Sequence, residues 1–112
     1  MATLFEKIIA GELPAEKVFE NEHVLAIKDK YPKAPVHLLI IVKKVIPNLQ
    51  SVQPEDLHLL GEVAKVAQQL ATEFGIEEGY RLITNNGVAG GQSIFHLHFH
   101  LVGGGPMVGF VG

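Results

Sequence analysis

The sequence predicts an α+β fold: an antiparallel sheet of about five strands, one short N-terminal helix and one long helix. Three observations predict it. His96-Leu97-His98-Phe99-His100-Leu101-Val102 alternates imidazole with apolar side chains, a period of two that a strand sorts onto two faces and a helix would scatter. Val36 to Lys43 is an almost unbroken apolar run of strand length, the pattern of a central strand buried on both sides. From Pro54 to about Phe74 the apolar residues recur at helical spacing, with Gly75 as the stop.

In chain order, Thr3 to Ala10 forms the short helix. Leu4, Phe5, Ile8 and Ile9 make its apolar cluster and Gly11 ends it. Lys17 to Glu20 and Val24 to Lys28 read as short strands joined by Asn21-Glu22-His23, with His23 facing solvent. Asp29-Lys30-Tyr31-Pro32 breaks the second strand, and the central run over 36–43 follows, with His37 near its start. Lys43-Lys44 and Pro47-Asn48 mark a loop. Pro54 suits the first turn of the long helix, and Glu55 and Asp56 suit its positive end. Two adjacent stripes run along that helix: Leu57, Leu60, Ala64, Ala67, Ala71 and Phe74, and beside them Leu59, Val63, Val66 and Leu70. One can pack on the sheet. The second then needs another partner, and a homodimer joined through it, and through a sheet edge near 80–84, is the simplest answer. His58 falls on the polar face. Tyr80 to Thr84 is a further strand, and Asn85-Asn86-Gly87 is a turn.

The chain of 112 residues suits one domain over 1–112, and 47% hydrophobic with 19% charged residues suits a packed core. A net charge of −3 argues against a protein held to nucleic acid by phosphate neutralisation, yet leaves room for one nucleotide in a donor-rich pocket. With no cysteine, disulfides and thiolate metal sites are excluded. No signal-peptide pattern opens the chain, and no run of about 20 apolar residues exists to span a bilayer, so the expectation is a cytoplasmic protein without a membrane partner.

Three imidazoles on one strand face offer nucleophile, acid and hydrogen-bond donor within one ligand's reach. Two histidines at i, i+2 could also hold Zn²⁺ with a third ligand from elsewhere. Gly90-Gly91-Gln92-Ser93 just upstream favours phosphoryl chemistry with histidine as nucleophile, because glycines let backbone N–H groups approach an anion and Ser93 adds a hydroxyl. Asp29 and Asn85 each read equally well as turn formers, and His37 alone as a structural histidine.

At these residues the chain resembles the histidine triad family, whose signature His-φ-His-φ-His-φ-φ is matched by His96 to Val102. The fit is closest to the nucleotide-binding branch, the purine nucleoside phosphoramidases. It extends over Leu4-Phe5, Asp29, Ala34-Pro35-Val36-His37, Asn85 and Gly90-Gly91-Gln92-Ser93. The resemblance implies that His98 is nucleotidylated, that His100 donates to the α-phosphate, and that His96 and His37 hold the network behind them. It implies phosphate contacts from Asn85, Gly91, Gln92 and Ser93, and a purine slot made by Leu4, Phe5, Ile8, Ile27 and Leu39 with Asp29 on the ribose. No metal or other cofactor is required. Hydrolysis of diadenosine polyphosphates, or a nucleotide- or zinc-binding regulatory role, are the alternatives.

The match weakens after Gly104. Relatives commonly carry arginine where Gly105 stands, whereas Gly103 to Gly112 carries no charge here. Met107, Val108, Phe110 and Val111 could pack across a dimer. Without a tail cation, little preference for acidic leaving groups is expected.

Overall fold

The computed structural model describes residues 2–107 and 109. Its elements, in chain order, are α1 (Leu4–Ile9), β1 (Lys17–Glu20), β2 (Val24–Lys28), β3 (Val36–Val42), α2 (His58–Glu73), β4 (Tyr80–Ile83) and β5 (His98–Gly103). The strands form one antiparallel sheet in the order β1-β2-β3-β5-β4. The fold class is the expected one.

The unbroken apolar run becomes β3, the middle strand, in which every residue after Val36 is buried. Its two faces supply two cores. On one side Leu38, Ile40 and Val42 join Val24, Ala26, Leu97 and Leu101 under α2. On the other Leu39 and Ile41 join Leu25 and Ile27 under Phe5 and Ile8 of α1. A capping box makes so short a helix possible: Thr3 Oγ1 accepts from the Glu6 amide, and Glu6 Oε1 accepts from the Thr3 amide.

The long helix starts later than its sequence suggests. Pro54–Asp56 is a separate 3₁₀ turn, and α2 begins at His58. Lys44 Nζ donates to both Asp56 carboxylate oxygens at 2.8 and 2.7 Å, tying that turn to the end of β3. Leu59, Val63, Val66 and Leu70, the stripe assigned to a partner, lie in this chain's own core, Val63 at 1% exposure. Ala67 and Ala71 of the other stripe go in with them, and Leu60 and Phe74 pack half-buried against the same core. What α2 leaves outside is Leu57, exposed at 52%, and Ala64. β4 is an edge strand, with Leu82 and Ile83 exposed.

β3 ends at Val42 and β4 at Ile83, one residue short of their expected limits. Val108, Phe110 and Val111, expected to pack across a dimer, lie outside the described residues. Among those that are described, no helix is long and apolar enough to cross a membrane.

Candidate functional site

The triad lies on the α1 face. Partners across an antiparallel ladder share a face, and the register pairs Ile41 with His98, Leu39 with His100 and His37 with Val102. The Phe5 ring of α1 meets the His98 ring edge-on, with centroids 4.8 Å apart. Leu97 and Leu101 point the other way, into the α2 core. Regular strand begins only at His98. His96 sits in a bend just before it, where the Leu97 amide donates to the Ile46 carbonyl and its carbonyl accepts from the Val42 amide. His96 is nonetheless fully buried, on the same side as Phe5.

Hydrogen bonds place the protons. His98 Nδ1 lies 2.7 Å from the His96 carbonyl. A carbonyl only accepts, so Nδ1 carries the hydrogen and Nε2 keeps its lone pair. His37 is set oppositely. Its Nδ1 accepts from the Lys33 amide at 3.0 Å, which puts the hydrogen on Nε2. That Nε2–H donates to His100 Nδ1 at 2.9 Å, so His100 carries its own hydrogen on Nε2. His96 donates through Nε2 to the Val42 carbonyl, and its buried Nδ1 has no partner among the described residues. The His98 and His100 rings stand 5.3 Å apart, one presenting a lone pair and the other an N–H.

Burial keeps these rings neutral. It lowers His98 below the usual imidazole value, against the opposing pull of the His96 carbonyl. It lowers His100 to about 4, helped by His98 and His37. It lowers His37 too, with Asp29 opposing and Lys33 adding to the shift.

Asp29 is nearer the triad than expected. Its Oδ1 accepts from the Tyr31 amide at 2.7 Å, the turn role read from sequence, and its Oδ2 lies 3.3 Å from His37 Nε2. Asp29, His37 and His100 thus converge as a possible metal set. The proton positions oppose it: a metal needs the Nε2 lone pair of His37, and the Lys33 amide has placed a hydrogen there.

The glycine loop needs a correction. Gln92 is buried, and its side chain is fully used as a brace: Oε1 accepts from the Gly87 amide, and Nε2 donates to the Pro47 and Ile94 carbonyls. Its own amide, like those of Gly90 and Gly91, bonds within the loop. Gln92 and the Gly91 amide therefore have no donor for a phosphate. Ser93 is exposed, and among the described residues neither its amide nor its hydroxyl has a partner. Gly91 adopts φ +92, and a Cβ on it would lie 3.9 Å from Asn85 Cγ, so the Asn85 side chain borders the loop. Thr84, which sequence reasoning missed, donates its hydroxyl to the His98 carbonyl at 2.7 Å and fixes that end of the site.

Phe5, Ile8, Ile27 and Leu39 come together as expected but pack closely on one another, while Leu4 is 47% exposed. A cleft of about 320 Å³ runs from Asp29 and His37 to Val36, Leu38 and Phe74 on the α2 side of the sheet, and shares no lining residue with that layer. His23 is half-buried rather than free, with its Nε2 3.8 Å from Glu62.

A family model described as "Scavenger mRNA decapping enzyme C-term binding" matches residues 2–108. An uncharacterised HIT-like (histidine triad) protein of Chlamydia muridarum is 58% identical over 105 residues, covering 94% of this chain and 83% of the relative. Among solved structures, a HIT family hydrolase from Clostridium thermocellum superposes with a TM-score of 0.93 at 47% identity, over 97% of this chain and 96% of that one. A histidine triad protein from Clostridium difficile gives 0.92 at 35% identity, over 96% and 95%.

Proposed function

The chain belongs to the histidine triad family and is hydrolase-like, and we propose that it is a purine nucleoside phosphoramidase. In this reading it hydrolyses adenosine and guanosine 5′-phosphoramidates through a nucleotidyl-histidine. The observation that carries the reading is the pairing of opposite tautomers: His98 Nε2 with a free lone pair beside His100 Nε2–H.

In the first step His98 Nε2 attacks phosphorus in line. The P–Nε2 bond forms as the P–N bond to the amine breaks, and the amine leaves with the electron pair. An amine leaves readily only when protonated; that proton comes from solvent, while the neutral His100 keeps its Nε2–H and donates it as a hydrogen bond to the α-phosphate. Ser93, with Asn85, steadies the nonbridging oxygens. Water then attacks phosphorus, the P–Nε2 bond breaks with its electron pair returning to neutral His98, the water's proton passes to solvent, and a nucleoside monophosphate is released. The purine lies against Leu4 and the edge of the Phe5, Ile8, Ile27 and Leu39 layer, and Asp29 accepts from the ribose hydroxyls. Such a slot grips a flat ring by area, so adenosine and guanosine substrates should differ by less than about tenfold. No metal takes part. The protein acts as a homodimer through the β4 edge and the exposed Leu57 and Ala64.

The test is turnover of an adenosine phosphoramidate by metal-free protein. Rapid quench should trap an adduct on His98, and His98→Ala should abolish turnover while still binding nucleotide. Wild-type rates in His98→Ala would overturn the reading.

A further inference from the structure

The uncharged tail suggests a site with no cation for a leaving group, and the fold supplies two from elsewhere. Arg81 pairs with Val102, and the next pair on the same face of the sheet is Ile83 with His100. Because paired residues share a face, Arg81 lies on the triad face, about 7 Å along the strand from the His100 row. Lys33, whose amide orients His37, comes in from the other side. Both line a cleft of about 250 Å³ with Pro35, Gly105, Pro106 and Met107.

Three features make this cleft an anion site. Among the described residues neither Lys33 nor Arg81 pairs with a carboxylate, although six of the chain's lysines and histidines lie within 4 Å of one. Gly105 contributes no side chain. A Cβ there would make only ordinary contact with Pro35 at 3.8 Å, so no side chain fills the cleft at that point. The backbone at Gly109 passes over the Arg81 guanidinium, where a Cβ would come within 3.3 Å of a guanidinium nitrogen. The chain thus covers one side of the charge without neutralising it.

The order of strands gives the cleft its place in the reaction. Asp29 follows β2, the phosphate-facing histidines are on β5, and Arg81 is on β4 beyond them. With the nucleoside over β2 and β3, the third part of the substrate extends toward β4. We propose that the cleft between Lys33 and Arg81 is the leaving-group subsite of the triad and takes an anion: a carboxylate on the departing amine, or a phosphate of a polyphosphate chain. This rests on the phosphoramidase reading and reverses the expectation drawn from the tail.

The experiment compares kcat/KM for adenosine phosphoramidates of aspartate and of its uncharged diamide, with a dinucleoside polyphosphate as a third arm. A charge-assisted contact predicts a preference of about tenfold or more for the acidic amine. That ratio should fall toward one in Arg81→Gln and in Lys33→Gln. If the two variants instead lower only the polyphosphate arm, the anion read is phosphate. A wild-type ratio near one in every arm, or a preference that survives both variants, overturns the subsite. Turnover of the diamide tests the phosphoramidase reading separately. Should that turnover fail, the same acidic-to-neutral ratio can be read by calorimetric binding to His98→Ala protein.

Discussion

Acid should separate the site's chemistry from the chain's stability. His100 has an ordinary value of 6.5 and a folded value of about 4. A histidine depressed by folding leaves stability intact above 6.5. As pH falls below that value the unfolded chain takes up the proton first and stability is lost, until the folded value is reached. Between about pH 7 and pH 5 that gap corresponds to about 2 kcal/mol, and partial exposure of the ring screens it to about 1–2 kcal/mol. His98 and His37 shift in the same direction and add to the loss.

Urea unfolding at the two pH values measures this, and His100→Asn should reduce the acid-induced loss by about 1–2 kcal/mol. Turnover should respond differently. The nucleophile needs only neutral His98, whose value lies below that of a free imidazole, so the acid midpoint of kcat/KM should lie below the free-imidazole value. A kcat/KM midpoint at the free-imidazole value, or equal acid losses in wild type and His100→Asn, would refute the buried neutral relay.

Gln92→Leu leaves the Gly87 amide and the Pro47 and Ile94 carbonyls without their partner, so it should cost about 2–4 kcal/mol in urea unfolding and lower kcat by displacing Ser93. Val63→Glu buries a carboxylate in the α2 core and should unfold the chain, whereas Leu57→Glu, at the exposed start of the helix, should leave the circular dichroism spectrum intact and raise the dimer dissociation constant in sedimentation. Activity should persist in chelator, and added Zn²⁺ should inhibit only at concentrations high enough to displace the His37 Nε2 proton, read as competition with nucleotide. Loss of activity on dialysis, restored by zinc, would contradict that.

Much of this was legible in the sequence because it rests on period and punctuation. The alternation from His96 to Val102 pointed to a two-faced strand, which runs from His98 with His96 in the bend before it, and the apolar run from Val36 marked the sheet's centre. The choice of stripe on α2 was not legible: both stripes are apolar, and only the way the helix seats on the sheet decides which residues turn inward. Gln92 misled for a different reason. Beside two glycines its amide reads as an anion donor, and nothing local shows that the Pro47 carbonyl, from another loop, will occupy it. Arg81 and Lys33 were missed because their shared cleft follows from register across β4, β5 and β3, which no local pattern encodes.

The protons on the four histidines are assigned by main-chain groups. The His96 carbonyl orients His98, the Lys33 amide orients His37 and through it His100, and the Val42 carbonyl orients His96. None of these three partners is a side chain that substitution could delete. The distinction between nucleophile and donor is therefore a property of where β3 and β5 begin and end. Restoring a histidine one pair away along the strand would return an imidazole without its tautomer, since the carbonyl and amide that set it would not move with it. The alternation that carries the triad also sends Leu97 and Leu101 into the α2 core. A one-residue slip of β5 would bury the imidazoles there and expose the leucines. The packing that makes the strand stable is thus also what keeps the lone pair on His98 and the hydrogen on His100.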